Sequence, residues 1–98
     1  MQFARNVQFQ IKKEKRQDFR QLFEREVIPI LRKQDGFVDE LALVSENRAM
    51  GISLWKDRNA AERYQNATYP EVLKKLQPVI DGTPNVETYE VAATTLTS

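Results

Sequence analysis

The chain contains no cysteine and no histidine. The first absence excludes disulfides and thiolate metal sites. The second leaves no side chain with an unperturbed pKa between about 5 and 8, and it rules out Ser-His-Asp triads, His-ligated zinc and His-ligated haem. Any general base must therefore be a carboxylate pushed up by its surroundings, or a Lys or Tyr pushed down. Neither sign of charge dominates. Fifteen basic residues against fourteen acidic ones leave a formal charge of +1, which speaks against nucleic acid, whose binding rests on a concentrated basic face. No apolar run approaches the roughly 20 residues of a membrane span. The opening MQFARNVQFQ alternates polar and apolar residues instead of forming the apolar block of a signal peptide. These features describe a cytoplasmic chain with neither a membrane nor a nucleic-acid partner, and its 98 residues make one domain, 1–98.

What is present is periodicity. In residues 2–11, Phe3, Arg5, Val7, Phe9 and Ile11 fall on one side, and Gln2, Ala4, Asn6, Gln8 and Gln10 on the other, which is a strand. From about residue 15 the step changes, and Phe19, Leu22, Phe23, Val27, Ile30 and Leu31 make the apolar stripe of a long helix. Pro29 lies inside that helix and predicts a kink or a loosened turn around residues 25–30; Gly36 is the stop signal. Two strands follow, 37–44 and 49–56, joined by a turn at Ser45-Glu46-Asn47-Arg48 in which Asn47 suits a left-handed conformation. A short helix then starts after Asp57 or Asn59 as cap, with Ala61, Tyr64 and Gln65 on one stripe. Thr68 and Glu71 have the spacing of a capping box for a second helix, whose buried stripe is Tyr69, Val72, Leu73, Leu76, Val79 and Ile80. Pro78, Gly82 and Pro84 end it, residues 86–91 form a last strand, and 93–98 read as a frayed tail.

Strand, helix, strand, strand, helices, strand is the ferredoxin-like βαββαβ plan, an α+β fold with a four-stranded antiparallel sheet and helices on one face. Both faces of the central hairpin are apolar, however. Leu41 and Leu43 oppose Val38, Ala42 and Val44, while Met50, Ile52 and Leu54 oppose Gly51, Ser53 and Trp55. A sheet with one wet face would be more polar. The uncovered face is expected to meet a second copy of the chain across a two-fold axis.

The succession QDGFVDELALVSE, ISLWKDRNAAERY and a closing Val-x-x-Tyr-x-Val at Val86, Tyr89 and Val91 resembles the antibiotic-biosynthesis-monooxygenase-like group of dimeric α+β barrels. The resemblance spans nearly the whole chain. It implies a pocket between helices and sheet, lined by the Trp of the third strand, which is Trp55 here, and chemistry without a cofactor on a small aromatic of quinol or anthrone type. On that reading Trp55, Tyr64 and Tyr69 stack on a flat ring, Arg5 neutralises a phenolate or enolate, Val7 flanks them, and Gly51 and Ser53 leave room beneath the helices. Alternatively, the three aromatics are core residues, and Arg5 reaches solvent or a carboxylate. The chain departs from the group's pattern in places. The strand-one slot that holds Asn in many members is Val7, the residue one step before the Trp on its face is glycine or serine, and Gln65 or a neighbour stands where haem-degrading members place their axial His. Asp39 and Glu40 have no metal-loop or glycosidase spacing and read as solvated surface. Two functions follow: a cofactor-independent monooxygenase, or a non-catalytic dimeric barrel that binds a small hydrophobic ligand.

Overall fold

The structure, a computed structural model, describes residues 1–96; the last two residues of the expected tail, Thr97 and Ser98, lie outside them. Alternating residues build β1, Phe3–Ile11, whose odd positions are buried. It occupies the centre of a four-stranded antiparallel sheet of order β2-β3-β1-β4, with β2 at Phe37–Ser45, β3 at Arg48–Trp55 and β4 at Ile80–Glu90. The helices cover one face. Their buried residues, among them Phe19, Phe23, Val27, Leu31, Tyr64, Val72 and Leu76, join Phe3, Val7, Phe9 and Ile11 of β1 in one apolar core.

The first helical run is interrupted near the place where Pro29 predicts it. Helix α1, Arg16–Leu22, passes into a π-helical segment, Phe23–Val27, and then into α2, Ile28–Arg32. The N–H of Ile28 donates to the carbonyl of Phe23, five residues back. A proline ring collides with the carbonyl four residues before it, here that of Arg25, and the wider π turn relieves that collision. Phe23 and Val27, four residues apart on the stripe, are both buried, and the Phe23 ring reaches to 3.8 Å from the point that a Cβ on Gly51 would occupy.

Gly36 comes four residues after α2 ends and does more than stop a helix. It has φ +83, and a Cβ there would lie 2.6 Å from the Ala60 side chain. The residue is therefore confined to glycine by conformation and by space alike. Its carbonyl accepts from Lys56 N at 2.8 Å, tying the start of β2 to the end of β3.

Several local expectations need correction. The β2–β3 turn puts Glu46, not Asn47, at positive φ, 55°. The loop is one residue shorter at each end than expected, so Ser45 and Arg48 pair and Glu46 falls at the first of two turn positions, where a hairpin of matching twist requires φ > 0. Asp57 caps α3, Arg58–Ala67, accepting from Ala60 N at 2.8 Å. Thr68 makes no capping bond to α4, Tyr69–Leu76; its hydroxyl goes instead to Gln34 Oε1 at 3.2 Å, tying the start of α4 to the turn that follows α2. The last strand begins at Ile80, not at residue 86. Gly82 at φ +67 and Pro84 are accommodated because β4 is an edge strand and its pairing with β1 shifts between Gln8 and Gln10.

The other sheet face is uncovered. Leu41, Leu43 and Tyr89 are exposed to 55%, 46% and 50%, and half-buried Met50, Ile52 and Leu54 continue the patch. Exposed apolar surface on this scale is what interfaces are made of.

Candidate functional site

Sheet register assembles the site. Arg5 of β1 pairs with Ser53 of β3, which pairs with Glu40 of β2, so three polar residues form one row across three strands on the helix-covered face. The rows on either side are apolar: Phe3, Trp55 and Phe37 in one, Val7, Gly51 and Ala42 in the other. Because side chains alternate along a strand, a carboxylate in phase with Ala42 and Val44 has to enter the covered side. A β-bulge between Phe37 and Asp39 supplies the phase change that lets Phe37 reach Trp55 as well.

Arg5 is buried, with 2% of its surface exposed. Its guanidinium carbon sits 4.4 Å from the ring centroid of Tyr69 and 5.0 Å from that of Tyr64, a desolvated cation held against two π faces. Nη2 donates to Gln65 Oε1, whereas Nε and the hydroxyl of Tyr69 have no protein partner. Burial lowers the Arg5 pKa from its ordinary value, opposed by Tyr64, Tyr69 and Glu40; a guanidinium still keeps its charge. Burial likewise raises the phenols of Tyr64 and Tyr69, so both remain protonated.

Glu40 reverses its expected assignment to solvated surface. It is half-buried, and burial pushes its carboxyl up to about 8, with Arg5 opposing the shift and Asp39 adding to it. Oε2 lies 3.1 Å from the point that a Cβ on Gly51 would occupy. The room expected beneath the helices at Gly51 is thus where the Glu40 carboxylate lies. The ion pairs among the described residues are all elsewhere, at the surface, and none involves Arg5 or Glu40.

Between these groups is a cavity of about 20 Å³ bordered by Arg5, Val7, Glu40, Gly51, Ser53, Tyr64 and Tyr69, with Phe9, Phe23, Val27, Leu31 and Val72 as apolar wall. It has room for about one water. Of the seven residues singled out from the sequence, Arg5, Val7, Gly51, Ser53, Tyr64 and Tyr69 come together here and Trp55 does not. Trp55 is fully buried; it stacks on Tyr64 at 4.9 Å, meets Phe37 edge-on at 5.6 Å and donates from Nε1 to Ser53 Oγ at 2.8 Å. Trp55 and Ser53 form the floor under Tyr64, and Trp55 is not a wall of the open space. Glu40 and the π-helical Phe23 are the residues that sequence reasoning missed. The signal for Glu40 was its strand phase, an acidic residue in register with Ala42 and Val44.

In chemical terms the site pairs a buried cation, which can stabilise an oxyanion in a low-dielectric setting, with a carboxyl group that burial raises to about 8, close enough to neutrality to exchange a proton.

The sequence model of the antibiotic biosynthesis monooxygenase family matches residues 2–73. No curated protein matches at the level of sequence. Solved structures match through their fold. NE2512 of Nitrosomonas europaea, a protein of unknown function, superposes with a TM-score of 0.84 at 16% identity, covering 99% of this chain and 95% of that one. SnoaB, a cofactor-independent oxygenase from Streptomyces nogalater, gives 0.78 at 18% identity over 96% of both chains. The monooxygenase ActVA-Orf6 of Streptomyces coelicolor, in complex with nanaomycin D, gives 0.79 at 18% identity, covering 98% of this chain and 92% of that one. With its sequence matched over residues 2–73 and its ferredoxin-like sheet in place, the chain belongs to the antibiotic biosynthesis monooxygenase family.

Proposed function

We propose that this protein is a cytoplasmic, homodimeric, cofactor-independent monooxygenase acting on a small aromatic substrate of quinol or anthrone type. The observation that carries the reading is the buried Arg5 guanidinium, stacked on Tyr64 and Tyr69 with one donor unpartnered. A cation in an apolar enclosure stabilises a phenolate or enolate far better than water does, and such an anion is electron-rich enough to react with dioxygen without a metal or flavin. For an anthrone-type methylene the balance is R₂CH₂ + O₂ → R₂C=O + H₂O. SnoaB and ActVA-Orf6 share this fold, which supports the reaction class. The apolar sheet face, with Leu41, Leu43 and Tyr89 exposed, supports the dimer.

A ring does not fit in about 20 Å³, so substrate entry displaces side chains, and the π-helical turn that carries Phe23 and Val27 is the part of the wall whose hydrogen-bond geometry is already irregular. The same small volume favours the second reading, a barrel that assembles through its sheet and catalyses nothing. Incubating the protein with reduced quinols and anthrones while recording dioxygen uptake separates the two. Uptake in excess of the uncatalysed rate, lost in Arg5→Met with the fold intact by circular dichroism, supports the oxygenase. Absence of uptake across a broad panel overturns it.

A further inference from the structure

We propose that Glu40 is the proton acceptor of this site, taking the acidic proton of the aromatic substrate before dioxygen adds; the assignment rests on the oxygenase reading and deepens it. Three geometric facts lead to it. Strand register places Glu40 in the same cross-strand row as Arg5, with Ser53 between them, so acceptor and cation flank one space from two sides. The glycine at position 51 leaves open the volume in which the carboxylate lies. And the cavity is bordered by that carboxylate together with Arg5, Tyr64 and Tyr69. A carboxyl group there for structural reasons alone would be expected to pair with Arg5, the only buried cation among the described residues, yet no ion pair joins Glu40 and Arg5.

A carboxyl group and a cation that border one cavity suit the chemistry. Glu40 removes a proton from the substrate methylene or hydroxyl, and the electron pair left behind spreads onto an oxygen facing Arg5. The carbanion then bonds to dioxygen and gives a peroxide anion. Glu40 returns its proton to that anion, and the hydroperoxide loses water to leave the ketone. The carboxylate is regenerated and nothing besides substrate and dioxygen is consumed. The charged and titratable groups facing Glu40 are Arg5 from β1, Asp39 beside it on β2, Tyr64 from α3 and Tyr69 from α4; β3 and the π segment face it with Gly51, Ser53 and Phe23. Its carboxyl, raised to about 8 by burial, matches a weakly acidic substrate better than an ordinary carboxylate does.

The test isolates the proton step from oxygen chemistry. Anthrone is incubated anaerobically with the protein in D₂O, and loss of its methylene signal is followed by proton NMR against a protein-free control. Wild-type exchange is expected to rise with pH to a plateau above about 8. Glu40→Gln is expected to slow it by about 100-fold or more, while anthrone still quenches Trp55 fluorescence with little change in affinity. Exchange undiminished in Glu40→Gln, or a wild-type rate flat from pH 6 to 9, overturns the assignment, and with dioxygen uptake retained the oxygenase reading survives. A wild-type protein that neither binds anthrone nor exchanges its protons overturns both. Should Glu40→Gln not fold, Glu40→Ala removes the carboxylate altogether. A loss of exchange of about 100-fold or more then supports the role, and an unchanged rate overturns it.

Discussion

Nε1 of Trp55 donates to Oγ of Ser53 at 2.8 Å, two residues back on the same strand face, in a part of the core where both residues are buried. Ser53→Ala leaves the indole N–H without a partner, and an orphaned buried donor costs about 1–3 kcal/mol. Urea unfolding followed by tryptophan fluorescence, which reports on the only tryptophan, should show the midpoint falling with the slope unchanged. Dimerisation should be unaffected, because Ser53 faces the helices and not the bare sheet.

Stability should fall as pH rises through the Glu40 titration. The folded-state pKa of about 8 lies above the ordinary 4.5, so between these values the folded chain holds a proton that the unfolded chain has released. This contribution is complete below about 4.5 and is lost as pH climbs through about 8, at no more than ~1.4 kcal/mol per pH unit for one proton. Comparing wild type with Glu40→Gln by thermal unfolding across pH 5 to 9 isolates it; parallel curves would show that Glu40 titrates normally.

Leu43→Asp tests the apolar sheet face. Leu43 is 46% exposed in the single chain, so a carboxylate there is solvated in a monomer but lies unpaired inside a two-fold interface next to its counterpart. Sedimentation velocity should give a dimer for wild type and a population shifted to monomer for the variant, with secondary structure by circular dichroism retained. Equal sedimentation of both would mean that this face is not where copies meet.

Pro29→Ala removes the ring that excludes a regular turn against the Arg25 carbonyl and restores a donor. The π segment Phe23–Val27 should tighten toward α-helix, and, because the wide turn already avoids the clash, the gain in stability should be about 1 kcal/mol, that of one added hydrogen bond. Tightening also shifts Phe23 relative to Val27 at the cavity wall, so substrate turnover should fall even as the melting temperature rises. Backbone NMR shifts over residues 23–29 read the first effect and dioxygen uptake the second.

Much of the fold was legible because it is written in local periods. The alternation of Phe3, Val7, Phe9 and Ile11 and the three- and four-residue spacing of Phe19, Phe23, Val27 and Leu31 both match buried faces. The consequence of Pro29 was legible as a loosened turn, though its π-helical form was not. Where expectations failed, a longer-range preference prevailed over a local one. Thr68 had capping-box spacing, but Gln34, in the turn between α2 and β2, takes its hydroxyl. Gly82 and Pro84 looked like the end of a segment, but an edge strand tolerates both.

By itself the sequence determined what chemistry is excluded, since no fold can supply a missing imidazole or thiol, and which side chains share a face, since strand and helix periods follow from backbone geometry. Only the tertiary structure decided which of those faces meet at one point. It brought Glu40 into line with Ser53 and Arg5 through strand pairing, and it sealed Trp55 beneath Tyr64. Contact between different strands and helices depends on register and packing, which local pattern does not encode.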